Sequence, residues 1–208
     1  YFEYGSFTSF NKESSGFNLT NQPLSFYLPF GEELSYMFTK PIRPYFGNTL
    51  LPILYSDLWG DYWGYFVFTS RFLDIGRDQL LIGDYLARVN IVSLVPTFLI
   101  LFGFYKISKK YKKDTFIRYI SIATAVSFFG YLWFLISYPA LPTGDTIKAT
   151  YIVQLFNLIL FLFALWLDQY KRVNYRKYLI ILGIFIFVFL HNFSSYLSHF
   201  PINFINNL

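Results

Sequence analysis

Two stretches of this sequence gather side chains able to bind and polarise a substrate. The first runs Tyr55-Ser56-Asp57-Leu58-Trp59-Gly60-Asp61-Tyr62-Trp63-Gly64-Tyr65, with the carboxylates Asp57 and Asp61 four apart among Trp59, Tyr62 and Trp63. Aromatic faces stack on the apolar faces of sugar rings, and carboxylates accept charge-strengthened hydrogen bonds from hydroxyls. The same residue types also build an aromatic belt at a membrane surface, with Asp57 and Asp61 capping a turn or short helix. The spacing alone identifies no catalyst. The second stretch is residues 138–148, YPALPTGDTIK, which opens an apolar segment. Thr143 or Asp145 can cap a helix there, and Lys148 beside a helix N-terminus is unfavourable unless an anion sits between them. A lipid phosphate would supply that anion. Alternatively, Lys148 snorkels to the headgroups and pairs with Asp145.

Isolated candidates carry less. Arg43, in KPIRPYFGN, could meet a phosphate, although a lone loop arginine is commonly just solvated. His191 falls within an apolar segment, where an ionisable group is a functional candidate by default, yet a neutral histidine facing a neighbouring helix is the commoner case. Gln154 and Asn157 fit interhelical hydrogen-bond partners better than ligands. Asn18-Leu19-Thr20 and Asn192-Phe193-Ser194 fit the glycosylation acceptor pattern, the second inside an apolar segment. There are no cysteines and two histidines, which excludes thiolate chemistry and disfavours a histidine-rich metal centre. No catalytic residue and no metal ligand is assigned, and the residues leave open whether a divalent metal assists.

What must position these groups is a membrane scaffold. Charged residues make up 14% against 55% hydrophobic, where a soluble domain carries roughly 25% charged. Of the seventeen Lys and Arg, ten fall in two short spacers: Lys106, Lys109, Lys110, Lys112, Lys113 and Arg118 in one, Lys171, Arg172, Arg176 and Lys177 in the other. Those spacers contain only Asp114 and Asp168 as acids, while the remainder of the chain holds more acids than bases. Base-rich short loops stay cytoplasmic, so the basic balance is a topology signal and argues against a nucleic-acid partner.

The fold class expected is all-α integral membrane protein, in the cell membrane, with about four transmembrane helices. Residues 1–70 read as an aromatic-rich extracytoplasmic segment, irregular because of its closely spaced prolines, with short helices such as Leu34 to Phe38. Residues 71–88 read as an amphipathic interfacial helix, divisible at Gly83 and helped by Asp84 facing Arg88. Residues 89–208 hold the spans, near 89–105 with a kink at Pro96, 116–138, 149–167 and 178–196, each long enough for ~30 Å of hydrocarbon at ~1.5 Å per residue. This arrangement leaves residues 1–88 and the C-terminus extracytoplasmic. The chain reads as the C-terminal part of a longer one, with further transmembrane helices N-terminal to it.

The order YSDLWGDYWGYF, then GDYLARVNIVSLVPT entering a span, then PTGDTIKATY opening a later one resembles the C-terminal part of polytopic C-type glycosyltransferases. These are the protein-mannosyltransferase-like enzymes that use polyprenyl-phosphate sugars, and the resemblance covers about Gln22 to Leu167. It implies inverting transfer of a sugar from a lipid-linked donor to a protein or glycan acceptor on the outer membrane face, with the catalytic carboxylate in an outside loop upstream of this chain. On that resemblance Lys148 would sit near the donor phosphate and the Asp57 to Asp61 stretch would border the acceptor or sugar pocket. WGDYWG also echoes the WWDYG motif of oligosaccharyltransferases, but there the motif follows the last span, whereas here it precedes four. The rival class is a non-catalytic membrane subunit that docks through its aromatic segment. A transporter ranks third, because the spans lack charged relays.

Overall fold

The computed structural model describes residues 16–28, 31–41, 49–61, 77–138 and 147–197. Among them the chain is helical throughout: α1 (Leu24–Tyr27), α2 (Glu32–Thr39), α3 (Leu50–Trp59), α4 (Arg77–Val92), α5 (Leu94–Lys110), α6 (Thr115–Ser137), α7 (Val153–Val173) and α8 (Tyr175–Leu197), with 3₁₀ turns at Leu19–Asn21 and Ala149–Ile152. Four stretches are long and apolar enough to cross a membrane: Gly83–Lys110, Thr115–Ser137, Ala149–Val173 and Tyr175–Phe193. Their outer faces leave Phe98, Val126, Phe129, Phe187 and Leu190 largely exposed, an apolar area that water would penalise and acyl chains would not.

The short helix expected over Leu34 to Phe38 is α2. α3 is longer than the proline spacing led one to expect, because Pro52 is only the third residue after the Thr49 N-cap. A first-turn N–H has no helical partner to lose, so proline costs little there. α4 differs more from expectation. It passes unbroken through Gly83 and continues beyond residue 89, and it buries Leu86, Ala87, Val89 and Asn90 beneath α2 and α3. Leu86 and Val89 are therefore covered by protein. Arg88 lies 6.0 Å from the Tyr85 ring centroid, and the expected Asp84–Arg88 pair does not form among the described residues. The break expected at Pro96 falls at Ser93, where the missing proline N–H leaves the Val92 carbonyl without its partner.

α7 is the centre of the bundle, packed on α5, α6 and α8. At its C-terminal half Ile107, Ile117, Ile120 and Leu162 interlock. A Cβ added at Gly103 would stand 2.6 Å from Phe163 and 2.7 Å from Trp166, so a bare backbone is what lets α5 approach α7. The two basic spacers come out at the same end: Lys110 Nζ donates to Gln169 Oε1 at 3.3 Å, and Asp114 caps α6 by accepting from the Phe116 and Ile117 N–H groups. At the opposite end a second core joins Phe26, Met37, Leu50 and Ile53 of the small helices to Tyr131, Leu135, Ile147, Ile152 and Leu155. The small helices thus form a cap on the bundle end remote from the lysines.

Candidate functional site

The cap delivers Asp57 and Asp61 to one buried spot. Asp57 occupies the last turn of α3, and Asp61 follows the Gly60 C-cap; both are fully buried. The Ser56 carbonyl accepts from both the Gly60 and Asp61 N–H groups, at 2.9 and 3.0 Å, which closes the helix tightly. Gly60 lets α4 pack closely: a Cβ there would lie 2.8 Å from Leu86 and 3.1 Å from Val89. Asp57, in the last turn of α3, does not cap that helix's N-terminus, the alternative role the sequence allowed.

Asp57 is under electrostatic pressure. Burial, then the charge of Asp61, holds its carboxyl well above the usual carboxylate range; the Ala149 N–H and the Lys148 ammonium oppose that shift. Its position in a C-terminal turn adds the negative end of the α3 dipole. The Ala149 N–H faces Asp57 without completing a hydrogen bond, since neither carboxylate oxygen has a partner that meets bonding geometry. The C-terminus of α3 therefore points its acid at the N-terminal turn that leads into α7. Lys148 is half-buried there, and its N–H donates to the Tyr131 hydroxyl at 3.2 Å.

A polar clamp fixes this geometry. Asn90 Nδ2 donates to the Met37 carbonyl at 2.7 Å and to Ser56 Oγ at 2.8 Å, joining α2, α3 and α4. The Tyr55 hydroxyl donates to the Asn90 carbonyl at 2.9 Å, and burial pushes that phenol up to about 12. Below it, Asn192 Nδ2 donates to Ser93 Oγ at 2.9 Å, His191 Nδ1 lies 2.8 Å from Asn192 Oδ1, and the Tyr85 hydroxyl donates to the His191 carbonyl at 2.7 Å. His191 thus packs as a helix-facing histidine, and Asn192 is too buried to take a glycan. Asn18, by contrast, is exposed and receives the Thr20 N–H on its Oδ1.

On the face of α3 that carries Leu51, Leu54 and Leu58, away from Asp57, a groove of about 200 Å³ lies against α5 and α7, lined also by Trp59, Ile100 and Phe156. Trp59 thus faces the groove, and its buried indole N–H has no partner. Of the residues singled out in the sequence, Asp57, Asp61 and Lys148 come together and Trp59 stands next to them. Arg43, Tyr62, Trp63 and Asp145 lie outside the described residues. Asn90, Ser56 and Tyr131 were not singled out; an Asn in the apolar run RVNIVSLV was the available signal. Two carboxylates with an opposed lysine make a weak cation cage, and no cluster of three or more His, Asp or Glu occurs among the described residues. No protein-family model, curated protein or solved structure matches this chain.

Proposed function

We propose that this chain is part of a membrane glycosyltransferase that takes a sugar from a polyprenyl-phosphate carrier, with its site at the extracytoplasmic end of the bundle and its catalytic carboxylate upstream. The single observation that carries this reading is the meeting of Lys148, N-cap of the 3₁₀ turn that leads into α7, with the buried acids of α3. An ammonium beside a turn that opens a helix suits a phosphate, and the groove lined by Leu, Ile and Phe on another face of α3 suits isoprene units. The orientation is supported by the two basic turns sharing the opposite end, which the positive-inside rule places in the cytoplasm.

The charges dictate how a phosphate would be received. Asp57 and Asp61 outnumber Lys148, so a phosphate binds most favourably when Asp57 is protonated, a state its burial already promotes.

The test is binding of polyprenyl phosphate and of the free polyprenol to the protein in nanodiscs. Lys148→Ala weakens the phosphate-bearing lipid about tenfold or more and leaves the alcohol unchanged; equal loss for both, or none, overturns the assignment. In the full-length protein, Lys148→Ala and Asp61→Ala also lose transfer activity at unchanged expression. The full burial of Asp57 and Asp61 favours a second reading, a non-catalytic subunit in which they only lock the cap to α7. That reading expects both variants to lower stability while lipid binding is unchanged.

A further inference from the structure

We infer that the outward face of α7 bearing Gln154 and Asn157 is a docking face for another transmembrane helix, one that presents a hydroxyl or amide side chain at mid-bilayer depth. The inference rests on α7 crossing the bilayer and is independent of the sugar-transfer chemistry. The apolar stretch that includes α7 begins at Ala149 and gives way to Asp168 and Gln169. Asn157 lies ten residues before Leu167, about 15 Å at ~1.5 Å per residue, which is the middle of a ~30 Å hydrocarbon core. The side of α7 that packs inward carries Leu155, Leu162 and Phe163. Gln154, Asn157, Phe161 and Ala164 follow one another three and four apart on the other side, and all four are exposed.

The chain's own habits show why this face is anomalous. Three of its span hydroxyls satisfy themselves: Thr97, Ser121 and Thr124 donate to the carbonyls of Ser93, Ile117 and Ile120, one turn back. Its other span amides bond across elements, Asn90 to Ser56 and Asn192 to Ser93. Gln154 and Asn157 do neither; among the described residues they have no hydrogen-bond partner. An amide turned to acyl chains leaves its donors and its acceptor without water or protein, which hydrocarbon penalises heavily. Lipid tails cannot relieve that, whereas a helix carrying Ser, Thr, Asn or Gln can. Ala164 on the same stripe keeps the surface low enough for close approach.

The probe is a pair of synthetic transmembrane helices of leucine and alanine, one with a central Asn and one with Leu in its place. The chain lacks cysteine, so Lys113→Cys gives a single site for a fluorophore on the basic turn, and energy transfer is read in phosphatidylcholine–phosphatidylglycerol vesicles. The Asn helix associates about tenfold more strongly than the Leu helix. Asn157→Leu abolishes the preference, Asn157→Ser retains it, and thermal melting of both variants matches the parent. Equal association of the two helices overturns the proposal. So does self-association of the chain that Asn157→Leu removes, which would make a second copy the occupant. Modification of Asn157→Cys by a water-soluble maleimide would assign the face to an aqueous cavity and overturn it as well. Loss of the Asn preference with polyprenyl-phosphate binding intact would leave the proposed function untouched.

Discussion

Asn90 Nδ2 lies 2.8 Å from Ser56 Oγ and 2.7 Å from the Met37 carbonyl, so one buried amide holds α2 and α3 onto α4. Asn90→Leu leaves the Met37 carbonyl and the Ser56 hydroxyl without this donor, which costs about 1–3 kcal/mol for each buried group so orphaned. Ser56→Ala removes one partner while the Met37 contact remains, and costs about 1 kcal/mol. Thermal unfolding in detergent should therefore rank the parent above Ser56→Ala above Asn90→Leu. Equal melting of all three would show that the clamp contributes nothing.

The raised pKa of Asp57 gives stability a definite pH slope. Its folded value lies well above the unfolded 3.8, so the folded state binds more protons than the unfolded state in the window between the two. Stability contributed by this group therefore falls as pH rises through that window. Asp57→Asn is uncharged and nearly isosteric. It should raise the melting temperature relative to the parent at pH above the usual carboxylate range and flatten the downward slope there. A parent whose melting temperature climbs with pH there, and a variant that follows it, would remove the buried-acid account.

The sequence made the scaffold readable and left the site half hidden, for separate physical reasons. Apolar runs and clustered lysines are local signals, so the spans and the shared end of the two basic turns could be anticipated. Lys148 and the Asp57–Asp61 pair were also visible, each as an odd charge in an aromatic or apolar setting. Their apposition was not, because it depends on α3 being a helix, and Pro52 reads as a breaker unless its place in the first turn is known. Tyr85 and Leu86, with the apolar residues before them, gave α4 the look of a surface helix, since periodicity shows that a face is apolar but not whether lipid or, as at Leu86, Gly60 covers it. Gln154 and Asn157 were expected to join helices, and the structure turns both away from the helices described.

Glycines in the spans separate into needed and unneeded ones. A methyl at Gly103 meets the rings of Phe163 and Trp166 inside van der Waals contact, whereas one at Gly130 or Gly183 meets nothing within 4 Å. Rings packed between helices cannot move aside as a chain end can, so Gly103→Ala should cost about 1–3 kcal/mol. Gly130→Ala and Gly183→Ala should be neutral or stabilising by up to ~1 kcal/mol through helix propensity. Melting curves of the three variants in one detergent decide it, and a Gly103→Ala protein as stable as Gly130→Ala would mean α5 and α7 do not approach this closely.

Sidedness is the condition on which the proposed chemistry depends, and the absence of cysteine makes it directly measurable. Lys113 lies in the turn between α5 and α6, and Leu19 is exposed in the 3₁₀ turn of the cap, at the other end of the bundle. The Asn21 side chain anchors that turn by donating to the Ile136 carbonyl at the end of α6, 2.9 Å away. The two sites are thus separated by the full length of α6, which at 23 residues and ~1.5 Å per residue exceeds the hydrocarbon thickness. In intact cells a membrane-impermeant maleimide should modify Leu19→Cys and spare Lys113→Cys until the membrane is permeabilised. The reverse pattern would put the Lys148 site on the cytoplasmic face. Modification of both in sealed cells would mean that α6 does not span, and a phosphate-bearing lipid would then have no bilayer leaflet from which to reach Lys148.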